Sequence, residues 1–136
     1  MATVNKHQLI RAALMQRPDG VVDASIDLWE RLASRLVSII GEGGFQSLYG
    51  RSLRLTGATF PWVAAIPPLP QANGRFAELR TALEKCDPAD VRDASTLLLI
   101  TFIDILTLLI GELLTASILS SAWGDEAFYT AGKDLL

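Results

Sequence analysis

The sequence predicts an all-α fold: a single-domain bundle of five or six helices around one long, mostly buried C-terminal helix over about residues 88–122. Three observations carry that prediction. Asp87-Pro88-Ala89-Asp90 reads as a helix start, because Asp is a favoured N-cap, Pro suits the first helical position, and early acids complement the helix dipole. The chain then runs for about ten turns without a breaker, oily except for Asp104 and Glu112. Upstream, Val22, Ile26, Trp29, Ala33, Leu36 and Ile40 recur at alternating intervals of four and three, the spacing of one helix face.

Taken in order, residues 4–16 form a short helix with Leu9, Ile10, Ala13 and Leu14 in neighbouring turns. Arg17-Pro18-Asp19-Gly20 ends it as a turn. A second helix over 23–40 has Asp27 and Arg31 paired at i,i+4 on its polar side, and Gly41 at the position that suits a helix-ending glycine. Residues 45–55 place Phe45, Leu48, Tyr49, Ser52 and Leu55 on one helical face, although 53–60 also alternates as an extended strand would. Prolines at 61, 67, 68 and 70 mark 59–74 as an ordered loop pinned across the bundle rather than a domain boundary. Residues 75–85 form a short helix with Phe76, Leu79 and Leu83 inward, linked so tightly to the next that the two are close neighbours. Ala127, Phe128, Ala131 and Leu135 make a terminal amphipathic turn or two. No internal repeat is apparent at this level. The central pair is expected to be 26–40 and 97–119.

Composition narrows the function. The chain has 136 residues, half of them hydrophobic and 20% charged, enough for one core. A net charge of −3 argues against nucleic acid, which selects for a basic surface. Residues 1–60 carry seven basic and five acidic groups, and 61–136 five basic and ten acidic, a mild asymmetry between halves. The single cysteine, Cys86, excludes an intrachain disulfide framework and reads as a small buried hydrophobe. The first residues lack the apolar core of a secretory signal, which makes the cytoplasm the expected location.

Residues 97–119 are apolar enough to raise a transmembrane reading. On one unbroken helix, Thr101, Asp104, Thr107, Gly111, Glu112 and Thr115 would share an arc of about 140°. Two carboxylates near a bilayer centre would cost about 2.5–3.5 kcal/mol each. The central helix of a soluble bundle therefore explains the segment better.

No motif carries chemistry. Gly41-Glu42-Gly43-Gly44 lacks the Lys-Ser/Thr of a phosphate loop and the strand that precedes a dinucleotide fingerprint. His7, the only histidine, has no triad or metal partners. Trp29, Trp62 and Trp123 read as core or groove aromatics. Asp104 and Glu112 would lie about 12 Å apart along one helix, too far to chelate one metal, so they need partners from other helices. Arg51 and Arg54 are the best suppliers, and a structural ion pair is the plainer explanation. The sequence thus points to a non-enzymatic helical protein–protein interaction or regulatory module, self-associating as a homodimer. No catalytic residue, metal ligand or cofactor is assigned. The binding or interface residues are expected to be Asp104, Glu112, Arg51, Arg54, Thr101 and Thr115. One alternative is a small-molecule-binding or catalytic bundle with a carboxylate/Arg pocket, and another is a membrane-associated helical protein.

Overall fold

The computed structural model describes Ile10, residues 20–67 and residues 74–123. Among these the regular elements are α1 (Val21–Thr56), a 3₁₀ turn (Pro61–Ala65), α2 (Ala77–Glu84), α3 (Pro88–Ile110) and α4 (Glu112–Trp123). The fold is all-helical, with four helices among the described residues where the periodicity suggests five or six. The expected helix at 4–16, the terminal turn at 127–135 and the loop stretch 68–73 lie outside the described residues.

Two glycines shape everything else. Gly41 has φ 82 and ψ 165, and Gly111 has φ 90 and ψ 162. That region of backbone space is essentially closed to residues with a Cβ. At Gly41 the chain ends one helix as expected, but it starts another at once. The stretch whose alternation left helix and strand open is therefore helical as far as Thr56. At Gly111 the expected continuous rod over 88–122 is interrupted, which corrects the central expectation of the sequence. Its N–H donates to the Thr107 carbonyl at 2.8 Å, closing α3. Its own carbonyl accepts the Thr115 N–H at 3.1 Å and the Thr115 hydroxyl at 2.7 Å, opening α4. One residue thus ends one helix and begins the next.

The two breaks belong to an internal repeat, contrary to the expectation of none. With an offset of seventy positions, Asp23-Ala24-Ser25 matches Asp93-Ala94-Ser95, and Ile40-Gly41-Glu42 matches Ile110-Gly111-Glu112. Val21, Leu28 and Leu36 likewise match Val91, Leu98 and Leu106. Burial follows the same offset. Ala24, Ser25, Leu28, Leu32, Ala33 and Leu36 are buried, and so are their counterparts at 94, 95, 98, 102, 103 and 106. Upstream the resemblance continues with the offset shortened by one, to sixty-nine, where Lys6, Ile10, Arg11 and Leu14 are spaced as Arg75, Leu79, Arg80 and Leu83 are. Each half is one helix broken by a glycine, and the halves pack on each other, α1 against both α3 and α4.

Trp29 is the hub of the shared core. It meets Tyr49 edge-on at 5.3 Å, Phe102 edge-on at 5.1 Å and Phe76 at 5.8 Å between ring centroids. Such pairs add about 0.5–1.5 kcal/mol each beyond the area they bury. Ile10 is buried in the same core. At the far end of the second half, the indole N–H of Trp123 donates to the Leu28 carbonyl at 3.0 Å, joining the end of one repeat to the beginning of the other. After α1, Gly57 allows close approach of the 3₁₀ turn, since a Cβ there would stand 2.5 Å from that of Ala64. Asp87 precedes α3 with extended backbone angles, but its carbonyl receives the Val91 N–H and its side chain makes no capping bond. That part of the helix-start expectation is corrected.

A Cβ on Gly41 or Gly111 would meet no atom within 4 Å, so the penalty for adding one is purely conformational. Gly41→Ala and Gly111→Ala are each expected to destabilise the fold by about 1–3 kcal/mol. Urea unfolding followed by circular dichroism checks this as a lowered midpoint with unchanged slope.

Candidate functional site

The six residues singled out by the sequence do not assemble into one pocket. Asp104, on α3, is half-buried and already engaged in an interaction. Glu112 is the first residue of α4 and is exposed. Gly111 intervenes, so the two acids sit on different helices, and neither the 12 Å spacing nor the common polar arc of a continuous helix applies. Thr101 is half-buried on α3. Thr115 is buried and committed to the Gly111 carbonyl, which makes it part of the break itself.

Arg51 and Arg54 do converge. Both are exposed on the second part of α1, and both line a groove of about 700 Å³ between α1 and the C-terminal end of α3. Ile40, Gly44, Leu48, Ile105 and Leu109 supply much of its apolar wall. Neither arginine forms a salt bridge among the described residues. The groove therefore offers an oily trough with two guanidinium groups and no carboxylate in its lining.

Next to this groove stands the feature that periodicity missed. Leu108 and Leu109 before Gly111 are 87% and 67% exposed, and Leu113 and Leu114 after it are 90% and 46% exposed. Counted on an unbroken helix, Leu109, Leu113 and Leu114 fall in the broad apolar stripe assigned to the core, whereas Leu108 falls within the polar arc. Contiguous exposed apolar surface of this kind marks contact sites in folded proteins. The repeated Ile-Gly-Glu triplet was the available signal, since two such triplets at one offset imply two equivalent interruptions.

The equivalent region of the first half is treated differently. Arg75 pairs in bidentate fashion with Glu42, its second nitrogen 2.7 Å from Oε1, and its guanidinium lies 5.4 Å from the Phe45 ring centre. Five residues on, Arg80 donates to Asp23 at 2.6 Å. Phe76 and Leu79 between these two ties, and Leu83 just beyond them, are buried. The segment from Arg75 through α2 thus clips the first helix start to the first break. The matching acids of the second half, Asp93 and Glu112, are exposed and form no ion pair among the described residues.

Electrostatics agree with a structural role for the clip. Hydrogen bonding from Arg75 holds the Glu42 carboxyl below its ordinary value, and the same bond raises the guanidinium of Arg75. Burial pushes the Tyr49 phenol upward. The half-buried Cys86 thiol is also raised, first by burial and then by Asp90 and Asp87, which disfavours the reactive thiolate. No cluster of three or more His, Cys, Asp or Glu able to hold a metal ion occurs among the described residues. Helix α3 is long and apolar enough to cross a membrane, with a mean hydropathy of 2.0 over its best window and 44% of that window buried. The core helix of a soluble protein passes the same test.

This geometry defines a two-repeat helical bundle with an open leucine face beside a basic groove. Comparison with known protein families, characterised proteins and solved structures finds no match for the chain.

Because the Glu42 carboxyl is depressed in the folded state, its contribution is complete above the ordinary carboxylate value and fades as pH falls through the lowered one. Arg75→Gln is expected to remove this acid-side loss of stability while keeping the helical fold. Thermal midpoints of both proteins between neutral and acid pH check the convergence.

Proposed function

We propose that the chain is a non-enzymatic helical interaction module that self-associates in the cytoplasm through the leucine face around Gly111. The exposure of Leu108, Leu109, Leu113 and Leu114, on both sides of one backbone break, is the observation that supports this reading. A face built from four large aliphatic side chains gains from being covered, at roughly 25 cal/mol for each Å² of apolar surface removed from water. The described residues leave it uncovered. The residues around it offer hydrophobic and charged contacts and no nucleophile with a base beside it.

Self-association is the economical form of such contact, since one patch serves both partners in a twofold pair. Leu109→Asp combined with Leu113→Asp is expected to preserve helicity and convert a dimeric wild type into a monomer. Size-exclusion chromatography with light scattering, in detergent-free buffer, reads the change. A wild type that is monomeric at high concentration, or one that stays dispersed only in detergent, refutes the proposal.

A second reading draws support from one observation, the convergence of Arg51 and Arg54 on an apolar trough. That pairing suits an amphiphile with an anionic head and an aliphatic tail. Under this reading decanoate raises the melting temperature of the wild type and leaves Arg51→Gln/Arg54→Gln unchanged. An equal response in both proteins excludes it.

A further inference from the structure

The two breaks differ in relief as well as in cover. After Gly41-Glu42 come Gly43 and Gly44, which carry no side chains. After Gly111-Glu112 come Leu113 and Leu114 at the matching positions. Gly44 lines the groove, where a Cβ would stand 3.2 Å from that of Ile40, and Gly43, outside the groove lining, faces open space. The groove that Gly44 lines is therefore a hollow and the exposed Leu113 beyond the second break a knob, and each copy of the chain carries one of each.

Charge follows the same division. Glu112 is exposed immediately before Leu113, the most exposed of the leucines. Arg51 and Arg54 line the hollow, together with Gly44 and Ser47. Within one copy these three charges do not meet, for none of them forms a salt bridge among the described residues. Between copies, an acid beside a knob and two arginines beside a hollow are complementary, and such complementarity fixes register. Glu112 would find no such counter-charge on an anionic lipid surface.

From this we infer a docking mode: the occupant of the groove is a second copy of this chain, which inserts Leu113 beside Gly44 and presents Glu112 to Arg51 and Arg54. The exchange is reciprocal, so each copy donates one knob and fills one hollow, and the pair closes about a twofold axis. The inference rests on the self-association proposed above and adds its geometry. Leu108 and Leu109 form the wall between the groove and the knob, and they are covered in the same event.

Sedimentation equilibrium of four full-length proteins tests the mode: wild type, Glu112→Arg, Arg51→Glu/Arg54→Glu, and the triple variant in one chain. Each partial variant is expected to weaken dimerisation by about tenfold or more through like-charge contact. The triple variant, which exchanges the signs, is expected to regain dimerisation. Ser47→Trp, an exposed position in the groove lining, is expected to block the hollow and yield a monomer with wild-type helicity. A dimer dissolved by the leucine substitutions but indifferent to Glu112→Arg overturns this mode while leaving self-association standing. A monomeric wild type removes both. Growth beyond a dimer with concentration overturns the twofold closure, because an unreciprocated knob-and-hollow contact continues as an open chain of copies. Co-sedimentation of the wild type with phosphatidylserine vesicles, lost on Leu109→Asp/Leu113→Asp, would assign the face to lipid and refute the mode.

Discussion

Everything in this fold depends on a backbone conformation adopted twice, at Gly41 and Gly111, that side-chain-bearing residues essentially do not enter. Helix geometry would otherwise carry each half forward as a single straight rod. A straight rod of 36 residues, the length of α1, would extend about 54 Å. Breaking each half at its glycine yields segments short enough to pack side by side. The cost is borne by a residue with no Cβ to clash, and it is offset by immediate re-entry into helix. At Gly111 the carbonyl makes this explicit by accepting two hydrogen bonds from Thr115.

Much of the architecture was legible in the residues. The apolar spacing over 22–40 names a helix face that is indeed buried at Ile26, Trp29, Ala33 and Leu36. Phe76, Leu79 and Leu83 point inward as their spacing requires. Pro88 begins its helix. The break at Gly111 was not legible from local pattern, because a single glycine inside an oily run is tolerated in a helix at about 1 kcal/mol. Nothing in the neighbouring leucines distinguishes a break from a tolerated glycine. The comparison that does distinguish them is long-range, between Ile40-Gly41-Glu42 and Ile110-Gly111-Glu112. Of the candidate site, Arg51 and Arg54 were identified as a pair by their charge and do share a groove. The two acids were joined by helical arithmetic that the break invalidates. The exposed leucines escaped notice because hydrophobicity reports a preference for burial, and only the turn of the backbone decides whether burial within one chain is achieved.

The internal repeat gives two halves with different surfaces. In the first, Arg75 and Arg80 tie Glu42 and Asp23 together over buried Phe76, Leu79 and Leu83, and the break is held shut. In the second, the equivalent acids form no ion pair among the described residues, and leucines stand where the first half has Gly43 and Gly44. Duplicated units that keep one copy for stability can spend the other on contact, since the folded state no longer depends on both surfaces alike.

The bond between Trp123 and Leu28 joins residues 95 positions apart and fastens the last described helix to the first turns of α1. Closure over such a span comes late, because the entropy of the intervening loop must be overcome before the contact contributes. During synthesis, Trp29 and its aromatic neighbours wait for Phe102 and then for Trp123 to leave the ribosome. A chain being made therefore leaves part of this core uncovered until both of those aromatic residues have emerged.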